Sequence, residues 1–340
     1  MSERHEVEIL PTHTAGLFAA AVKQAAELLR AGEVVALPTE TVYGLAANAL
    51  DAHAVARIFE IKGRPAHNPI IVHVDGVALA QRCVREWTPD AEKLAMAFWP
   101  GPLTLVLPRS SEIPDIVTAG GATVGVRWPS HPFIQAVIHE CGFPLAAPSA
   151  NASNLLSPTN AEHVRKSLGD KVRLIVDGGQ SQVGLESTVV DLTSEPARVL
   201  RPGMIHEAAL AAVIGEVQSS KLKAQDERPL RSPGQLPKHY SPRAKLVVLG
   251  WRNEAALSLA LHRSPFAPAR IHVIAHTHIP LGGGYGRVSV IPHDAEAFAR
   301  ALYAELHACD EAGAELIVVE EPPDGLEWAA VTDRLRRAAG

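Results

Sequence analysis

Two cationic side chains, Lys62 and Arg64, stand two residues apart in the sequence Lys-Gly-Arg-Pro, just before Asn68 and Pro69. An ammonium and a guanidinium group between a helix end and a strand are suited to holding an anion, and the planar guanidinium matches phosphate oxygens in particular. Taken alone, a basic tripeptide at a helix end more often complements the helix dipole in water. The recurrence of polar groups at later strand ends favours the first interpretation, a polyphosphate site.

Four other segments, three of them later in the chain, bring hydroxyl, amide or guanidinium groups to the end of an apolar run: Thr39, Thr41 and Tyr43; Thr123 and Arg127; Ser149 and Asn151; and Arg201. Strand alternation places Arg127 on the same face as Thr123, which predicts one wall of a site, although a surface arginine on an edge strand fits that segment equally well. The turn over 148–151 has little side-chain bulk, which would let a nucleotide approach its backbone N–H groups. An ordinary turn before a helix is the alternative there.

The elements that must position these groups follow from periodicity and capping residues. A buried strand is predicted over 34–37, a helix capped by Asp51 and Gly63 follows it, and 70–74 predicts a second strand. Lys62 and Arg64 are therefore expected at a mouth and not in a core. The remaining patterns predict helices over 15–30, 77–87, 90–98, 132–140 and 158–168, and strands over 103–107, 123–128, 144–147, 174–177, 187–191 and 199–201.

A polar segment with four prolines, 216–243, separates two apolar regions. It shows neither helical nor strand periodicity, and at roughly 28 residues it is longer than ordinary connections. We therefore predict a domain over 1–215, a linker over 216–243 and a second domain over 244–340. In the second domain, strands at 245–249, 271–275 and 316–319 alternate with helices at 254–261, 295–308 and 328–338. This alternation predicts a small βαβ domain, so the whole chain is expected to be an α/β protein.

Composition excludes several classes of protein. The chain of 340 residues is 47% hydrophobic and 20% charged with a net charge of −5, so it is not a uniformly basic nucleic-acid coat, and any RNA contact would be local. Its three cysteines lie far apart and predict neither disulfides nor a zinc site. The N-terminus has no apolar signal core, and no run approaches the ~18 apolar residues of a membrane span. A cytoplasmic protein without membrane contact is expected.

Two well-known motifs are absent, and two other patterns receive no role. The sequence lacks G-x-x-x-x-G-K-[ST] and G-x-S-x-G, which excludes nucleotide binding of the P-loop type and a nucleophile elbow. His276 and His278 form a lone H-x-H without a third metal ligand. The glycines over 282–286 lack the dinucleotide spacing, so a flexible loop is predicted there.

Six motifs together closely resemble the YrdC-like threonylcarbamoyl-AMP synthase family: 38–45, 62–65, 68–69, 99–104, 126–129 and 148–151. The most specific mark is the pairing of Lys-x-Arg at 62–64 with Ser-x-Asn at 149–151. Ser232-Pro233-Gly234 and His239-Tyr240-Ser241-Pro242 resemble the linker motif of the longer members, so the short single-domain form is excluded. The resemblance implies a YrdC-like twisted mixed sheet with flanking helices, plus a small Rossmann-like C-terminal domain.

The resemblance implies that L-threonine, bicarbonate and ATP are joined into L-threonylcarbamoyl-AMP with release of pyrophosphate. A threonylcarbamoyl transferase partner would then pass the threonylcarbamoyl group to an adenosine beside the tRNA anticodon. Positioning and charge stabilisation would carry catalysis, so no nucleophilic side chain is required. Mg²⁺ is expected to assist, through ligands that the sequence does not identify.

The resemblance also assigns roles residue by residue. Lys62 and Arg64 would stabilise phosphate charge, while Thr41, His73 and Arg127 would hold the threonine, with Arg127 on its carboxylate. The ATP or adenylate would be lined by Arg64, Asn68, Thr123, Ala147, Ser149, Asn151, Ser157, Ser187 and Arg201. Ala147 is a departure, because some relatives carry a hydroxyl residue at that position.

The linker motif suggests a further role. His239 and Tyr240 would belong to a lid that excludes water from an acyl-adenylate, which hydrolyses easily. Prolines that merely stiffen a spacer are the alternative.

Two other functions stay open at this point. An RNA-binding module of the same fold would bind tRNA tightly and in a salt-dependent way without consuming ATP. A carbamoyl-handling maturation enzyme would carry a YrdC-like unit within a larger protein, and the lack of acylphosphatase or zinc-finger segments in this sequence argues against it. The sequence decides neither the oligomeric state, nor direct tRNA binding, nor the role of the C-terminal domain.

Overall fold

The computed structural model describes residues 7–219 and 240–340. These residues divide into two compact units, one formed by 7–153 and 157–219 and the other by 154–156 and 240–340. The short segment Asn154–Leu156 thus belongs to the C-terminal unit although it lies far upstream in sequence. There the backbone N–H of Ser241 donates to the carbonyl of Asn154 at 3.0 Å.

The first unit is built on an 11-stranded mixed sheet among the described residues. Its strands are β1 (Glu8–Pro11), β2 (Val35–Leu37), β3 (Gly44–Asn48), β4 (Val72–His73), β5 (Leu103–Pro108), β6 (Thr123–Arg127), β7 (Leu145–Ala146), β8 (Leu174–Asp177), β9 (Thr188–Asp191), β10 (Ala197–Arg201) and β11 (Val217–Ser219). Its helices are α1 (Ala15–Arg30), α2 (Ala52–Lys62), α3 (Val77–Cys83), α4 (Pro89–Phe98), α5 (Pro132–Cys141), α6 (Ala161–Leu168) and α7 (Glu207–Ile214).

The strands run in the order β1-β8-β2-β3-β7-β4-β6-β5-β9-β10-β11. The sheet mixes parallel and antiparallel pairs; β4, for example, pairs parallel with β6 but antiparallel with β7. The predicted α/β mixed sheet with flanking helices is therefore confirmed.

The two faces of this sheet have different neighbours. One face buries Val72, Val126 and Leu105 in the largest hydrophobic core. On the other face, helices α1 and α5 cover β2, β8 and β7 through a second core. Further along that same face, a small apolar group consists of Ile71, which directly precedes β4, with Val106 on β5, Val189 on β9 and Leu200 on β10. Because strand residues alternate, polar residues two positions from these share their face, and this part of the sheet carries the candidate site.

Helix α2 shows how local signals place the first cationic pair. Asp51 caps its start by accepting from the N–H groups of His53 at 2.9 Å and Ala54 at 3.3 Å. Gly63 ends it in the left-handed region with φ 60°, a conformation that costs glycine little. The predicted caps are therefore confirmed, and the chain leaves the helix with Lys62 as its last residue.

Several elements differ from their sequence predictions. Helix α3 ends at Cys83 and not at residue 87, because Val84 turns into an antiparallel bridge with Arg109. Strands β1 and β3 and helix α7 were not predicted. Strand β11 falls inside the segment predicted to lack strand structure, where it pairs parallel with β10.

The second unit has a four-stranded sheet in which every pair is parallel. Its strands are β12 (Lys245–Leu249), β13 (Ile271–Ala275), β14 (Arg287–Val290) and β15 (Leu316–Glu320), in the order β12-β15-β13-β14, and its helices are α8 (Glu254–Leu261), α9 (Ala295–Glu311) and α10 (Ala329–Ala339). This arrangement confirms the predicted Rossmann-like domain, to which β14 adds a strand. None of the helices described in either unit is long and apolar enough to cross a membrane.

Candidate active site

A buried ion pair joins the hydroxyl-rich loop after β2 to the end of β6. Arg127 donates from Nη2 to Glu40 Oε1 at 2.5 Å and from Nη1 to Thr41 Oγ1 at 2.9 Å. Its Nε donates to the carbonyl of Gly101 at 3.3 Å, so three directions of the guanidinium group are fixed by protein oxygens. Thr41 is itself oriented by Thr39, whose hydroxyl lies 2.9 Å away. The structure thus brings together Thr41 and Arg127, two of the three residues predicted to hold an amino acid.

His73, the third of these residues, lies beside Arg127 because β4 and β6 pair in that register. The side chain is buried, and its Nδ1 has no hydrogen-bond partner among the residues that the structure describes. Burial, with the neighbouring charge of Arg127, lowers the pKa of this histidine to about 3. His73 is therefore neutral at physiological pH and offers a ring nitrogen to a polar ligand.

Lys62 ties the end of α2 to the turn over 148–151. Its ammonium group donates to the carbonyls of Ser149 and Asn151, the second at 2.5 Å. The expected place at a mouth is wrong, since Lys62 and Arg64 are only 4% and 9% exposed. The carbonyl contacts give the reason, because they draw the lysine inward under the turn. Burial, and then the charge of Arg64, hold the pKa of Lys62 well below its usual value.

Arg64 and Asn68 shape the loop between α2 and β4. Arg64 donates from Nε to the carbonyl of Asn68 at 3.0 Å and from Nη2 to that of Pro69 at 2.6 Å. The side chain of Asn68 is fully buried, yet neither its Oδ1 nor its Nδ2 has a partner within the described part of the chain. A buried amide without hydrogen bonds costs free energy, so this group is suited to a polar ligand.

Ser187 and Arg201 form a second polar cluster, on the far side of β5. Arg201 donates to the carbonyl of Ser187 at 3.0 Å and to its hydroxyl at 3.1 Å, and that hydroxyl lies 2.8 Å from Thr104 Oγ1. Gly125 on β6 lies directly beside Thr104 of this cluster. A Cβ at position 125 would lie only 3.1 Å from Thr104 Cγ2. Thr123, at the start of β6, is half-buried. The glycine therefore leaves room for the threonine that orients Ser187.

The remaining predicted lining residues lie around the same turn. Backbone bonds from Leu45 to Pro148, 2.7 Å, and from Ala150 to Tyr43, 2.8 Å, hold it against the hydroxyl-rich loop. Ala147 is buried next to this turn, and its side chain packs in the core under α1 and α5. Ser157 donates to Glu186 Oε1 at 2.6 Å, and both side chains are buried.

Sequence reasoning missed Glu40, Thr104 and Glu186, each of which orients a predicted residue. Glu40 and Thr104 lie within the motifs at 38–45 and 99–104, and this was the signal that could have found them. Of the two residues predicted for a lid, His239 lies outside the described residues. Tyr240 is buried in the second unit, where its ring lies 6.0 Å from that of Tyr303 and Arg334 Cζ stands 5.2 Å from its centroid.

The site does not offer a set of metal ligands. Residues 7–219 and 240–340 contain no cluster of three or more His, Cys, Asp or Glu side chains that could hold a metal ion. Of the carboxylates that contact predicted residues, Glu40 accepts from Arg127 through Oε1 and Glu186 accepts from Ser157 through Oε1. The described residues thus offer no cage of three such ligands, and Mg²⁺ is commonly held by substrate phosphates with only one or two carboxylates.

These features define a class of protein: an α/β fold whose mixed sheet carries a buried polar site with four basic side chains, suited to a charged small molecule. Residues 27–203 match the family model described as telomere recombination, and residues 205–340 match that described as threonylcarbamoyl-AMP synthase, C-terminal domain.

Named relatives agree with these matches. The threonylcarbamoyl-AMP synthase of Pyrococcus abyssi is 39% identical over 325 residues, 94% of each chain. That of Bacillus subtilis is 40% identical over 324 residues, 94% of this chain and 93% of the relative. The crystal structure of P. abyssi Sua5 complexed with L-threonine superposes with a TM-score of 0.88 at 37% identity, covering 98% of this chain and 97% of the other. The chain belongs to the threonylcarbamoyl-AMP synthase family, as its motifs predicted.

Proposed function

We propose that this protein joins L-threonine, bicarbonate and ATP into L-threonylcarbamoyl-AMP and releases pyrophosphate. The observation that carries the proposal is the full-length similarity to P. abyssi Sua5, which was solved in complex with L-threonine. The buried group Thr41, His73 and Arg127 supports it, because this chain keeps a guanidinium, a hydroxyl and a neutral imidazole together at one point of the sheet.

The amino-acid half of the reaction follows from the charges of this group. The guanidinium of Arg127 binds the threonine carboxylate, and Thr41 with His73 supplies hydrogen bonds to the remaining polar atoms. The amine of threonine combines with bicarbonate, with loss of water, to give an N-carboxylate. Holding the reactants in one geometry supplies most of the acceleration of such a step.

The nucleotide half requires an in-line displacement. A carbamate oxygen attacks the α-phosphorus of ATP, the bond to the β-phosphate breaks, and pyrophosphate leaves with the extra negative charge. Lys62 and Arg64 stabilise that charge. Asn68, Thr123, Ala147, Ser149, Asn151, Ser157, Ser187 and Arg201 line the nucleotide. The carbonyl bonds of Lys62 support this role, because they fix the Ser149–Asn151 turn that would face the phosphates.

Mg²⁺ is assigned no side chain in this proposal. Magnesium is commonly held by substrate phosphates with few protein ligands, so it would enter with ATP as a counter-ion.

The wider role extends the same proposal. The adenylate is handed to threonylcarbamoyl transferase partner proteins that modify the adenosine beside the tRNA anticodon, and this occurs in the cytoplasm. The segment with His239 and Tyr240 acts as a lid that retains the adenylate until handover. Direct tRNA binding is not required, and the net charge of −5 gives no support to a module that only binds RNA.

The test is to incubate the purified protein with ATP, labelled bicarbonate and L-threonine. The label should appear in the adenylate, and release of unlabelled pyrophosphate is measured separately. L-valine should replace threonine poorly, because a site that hydrogen-bonds the hydroxyl leaves polar groups unpaired with the isostere. Comparable turnover with valine would overturn the dedicated threonine pocket. Tight tRNA binding without ATP consumption would favour the RNA-binding module.

A further inference from the structure

The buried carboxylate of Glu40 has one oxygen that the protein does not use. Oε1 accepts from Arg127 at 2.5 Å, whereas Oε2 is buried and has no hydrogen-bond partner among the described residues. Burying a carboxylate oxygen without a hydrogen-bond donor costs free energy. Pairing with Arg127 uses only Oε1, so it does not explain why Oε2 is buried as well. The free oxygen is suited to a donor that arrives with a ligand.

The charges around this oxygen indicate which donor. Arg127 and Glu40 together carry no net charge, and His73 is neutral. This part of the site therefore has no net positive charge that would bind a simple anion. A zwitterion matches the pair, because its carboxylate faces the guanidinium and its ammonium faces the carboxylate. His131 also lies near Glu40, but its Nδ1 accepts from the N–H of Phe133 at 3.2 Å and the ring makes a further hydrogen bond with the backbone of Gly178.

We propose that Glu40 Oε2 binds the α-ammonium group of the amino-acid substrate, so that the Glu40–Arg127 pair recognises the zwitterion as a unit. This inference rests on the proposed function, which supplies L-threonine as the ligand. Glu40 is then a binding residue that sets specificity for free amino acids, and Thr41, the next residue, stands beside the substrate carboxylate on Arg127.

The experiment compares three ligands by calorimetric titration of the full chain without ATP: L-threonine, (R)-3-hydroxybutanoate, which lacks the amine, and L-2-aminobutanoate, which lacks the hydroxyl. The wild-type protein should bind 3-hydroxybutanoate at least about 10-fold more weakly than L-threonine, since hydrogen bonds to charged groups are strong. Equal affinity of the wild type for these two ligands overturns the inference without any variant.

Glu40→Gln provides the second arm. It should weaken binding of L-threonine and of 2-aminobutanoate about 10-fold or more, and leave 3-hydroxybutanoate nearly unchanged. An equal loss for all three ligands means that Glu40 only positions Arg127, and a loss confined to the two hydroxylated ligands means that it binds the hydroxyl, so either result overturns the inference. Glu33→Gln is the matched control, because Glu33 pairs with Arg57 in a half-exposed contact.

A failure of the proposed function looks different. If the wild-type protein binds none of the three ligands and makes no adenylate, the assignment of L-threonine itself is wrong. If it makes the adenylate but discriminates by the hydroxyl alone, only the role of Glu40 is wrong. Circular dichroism of Glu40→Gln at the titration temperature confirms that the variant is folded.

Discussion

Arg127 Nη2 lies 2.5 Å from Glu40 Oε1, and each side chain is only 4% exposed. Removing two ions from water costs several kcal/mol for each ion, and their attraction offsets that cost only when both partners are present. The intact pair therefore adds little to the free energy of unfolding. Removing either partner leaves the other charge buried without a counter-charge, which is strongly destabilising.

Arg127→Met should destabilise the protein by about 3–5 kcal/mol, because it leaves the Glu40 carboxylate buried without a counter-charge. Chemical unfolding in urea measures the change, and the double variant Arg127→Met with Glu40→Gln should recover much of the loss. Arg82→Met is the control, since its ion pair with Glu112 is 53% and 48% exposed and should be worth less than about 1 kcal/mol. A double variant that is no more stable than Arg127→Met would contradict the account.

Lys62→Ala and Arg64→Ala should each slow adenylate formation by about 10-fold or more, because each removes a charged contact to a developing phosphate charge. Lys62→Ala should also destabilise the fold by about 1–3 kcal/mol, since the carbonyls of Ser149 and Asn151 lose their donor. Initial rates and urea unfolding separate the two effects, and Lys93→Ala on an exposed helix face is the control. If either variant forms the adenylate at the wild-type rate, the residue replaced in that variant does not stabilise the phosphate charge.

His73 predicts a specific loss of stability in acid. Its pKa is lowered from 6.5 to about 3 by burial and by Arg127, so the unfolded chain takes up a proton that the folded chain refuses. The stabilisation is complete above pH 6.5 and declines as the pH falls toward 3, by up to about 1.4 kcal/mol per pH unit. His73→Gln should flatten this dependence between pH 7 and pH 5 in urea titrations. His139→Gln, on a side chain that is 87% exposed, is the matched control for the exchange of histidine for glutamine.

Gly125→Ala should disturb the Arg201 cluster through Thr104. The new Cβ would lie 3.1 Å from Thr104 Cγ2, so the threonine must shift and its hydroxyl loses alignment with Ser187. We expect a loss of about 1–3 kcal/mol in stability, with a higher KM for ATP. Thr104→Ser removes the crowding methyl group and keeps the hydroxyl, so adding it should relieve both effects. A penalty of the same size in the Thr104→Ser background would exclude this contact as the cause.

Two variants of Tyr240 distinguish a lid from a spacer. Tyr240→Ala should destabilise the second unit by about 3–5 kcal/mol, because the ring packs on Tyr303 and under Arg334. Tyr240→Phe keeps that ring and removes only the hydroxyl. Under the lid interpretation, Tyr240→Phe increases leakage of the adenylate, while loss of the buried hydroxyl lowers the free energy of unfolding by only about 1 kcal/mol. If Tyr240→Phe releases the adenylate at the wild-type rate, the role of Tyr240 is limited to packing in the second unit.

Elements with local signals could be predicted from the sequence. The bounds of α1 were predicted from its apolar spacing, and the caps of α2 from Asp51 and Gly63, because those bonds form within a few residues. Strand β3 escaped prediction because Gly-Leu-Ala-Ala-Asn has no β-branched residue, and its conformation comes from pairing with β2 and β7.

The site was predictable in its residue types more than in its contacts. The motifs pointed to Arg127 and Thr41, and in the structure Arg127 Nη1 lies 2.9 Å from Thr41 Oγ1. Glu40 lies in the same motif as Thr41, but its contact with Arg127 could not be predicted, because the two residues are 87 positions apart and no spacing rule connects them. The burial of Lys62 was missed for the same reason, since its acceptors are carbonyls that follow β7.

The place of β8 in the sheet bears on how the protein is made. Residues 174–177 lie between β1 at 8–11 and β2 at 35–37, so the two earliest strands have no common neighbour until the later one arrives. A ribosome delivers the chain from its N-terminus at about 5–20 residues per second, and strand pairing across such separations is slow. Partly synthesised chains therefore expose open strand edges for several seconds, and nascent chains shorter than about 180 residues should aggregate more readily than the finished unit.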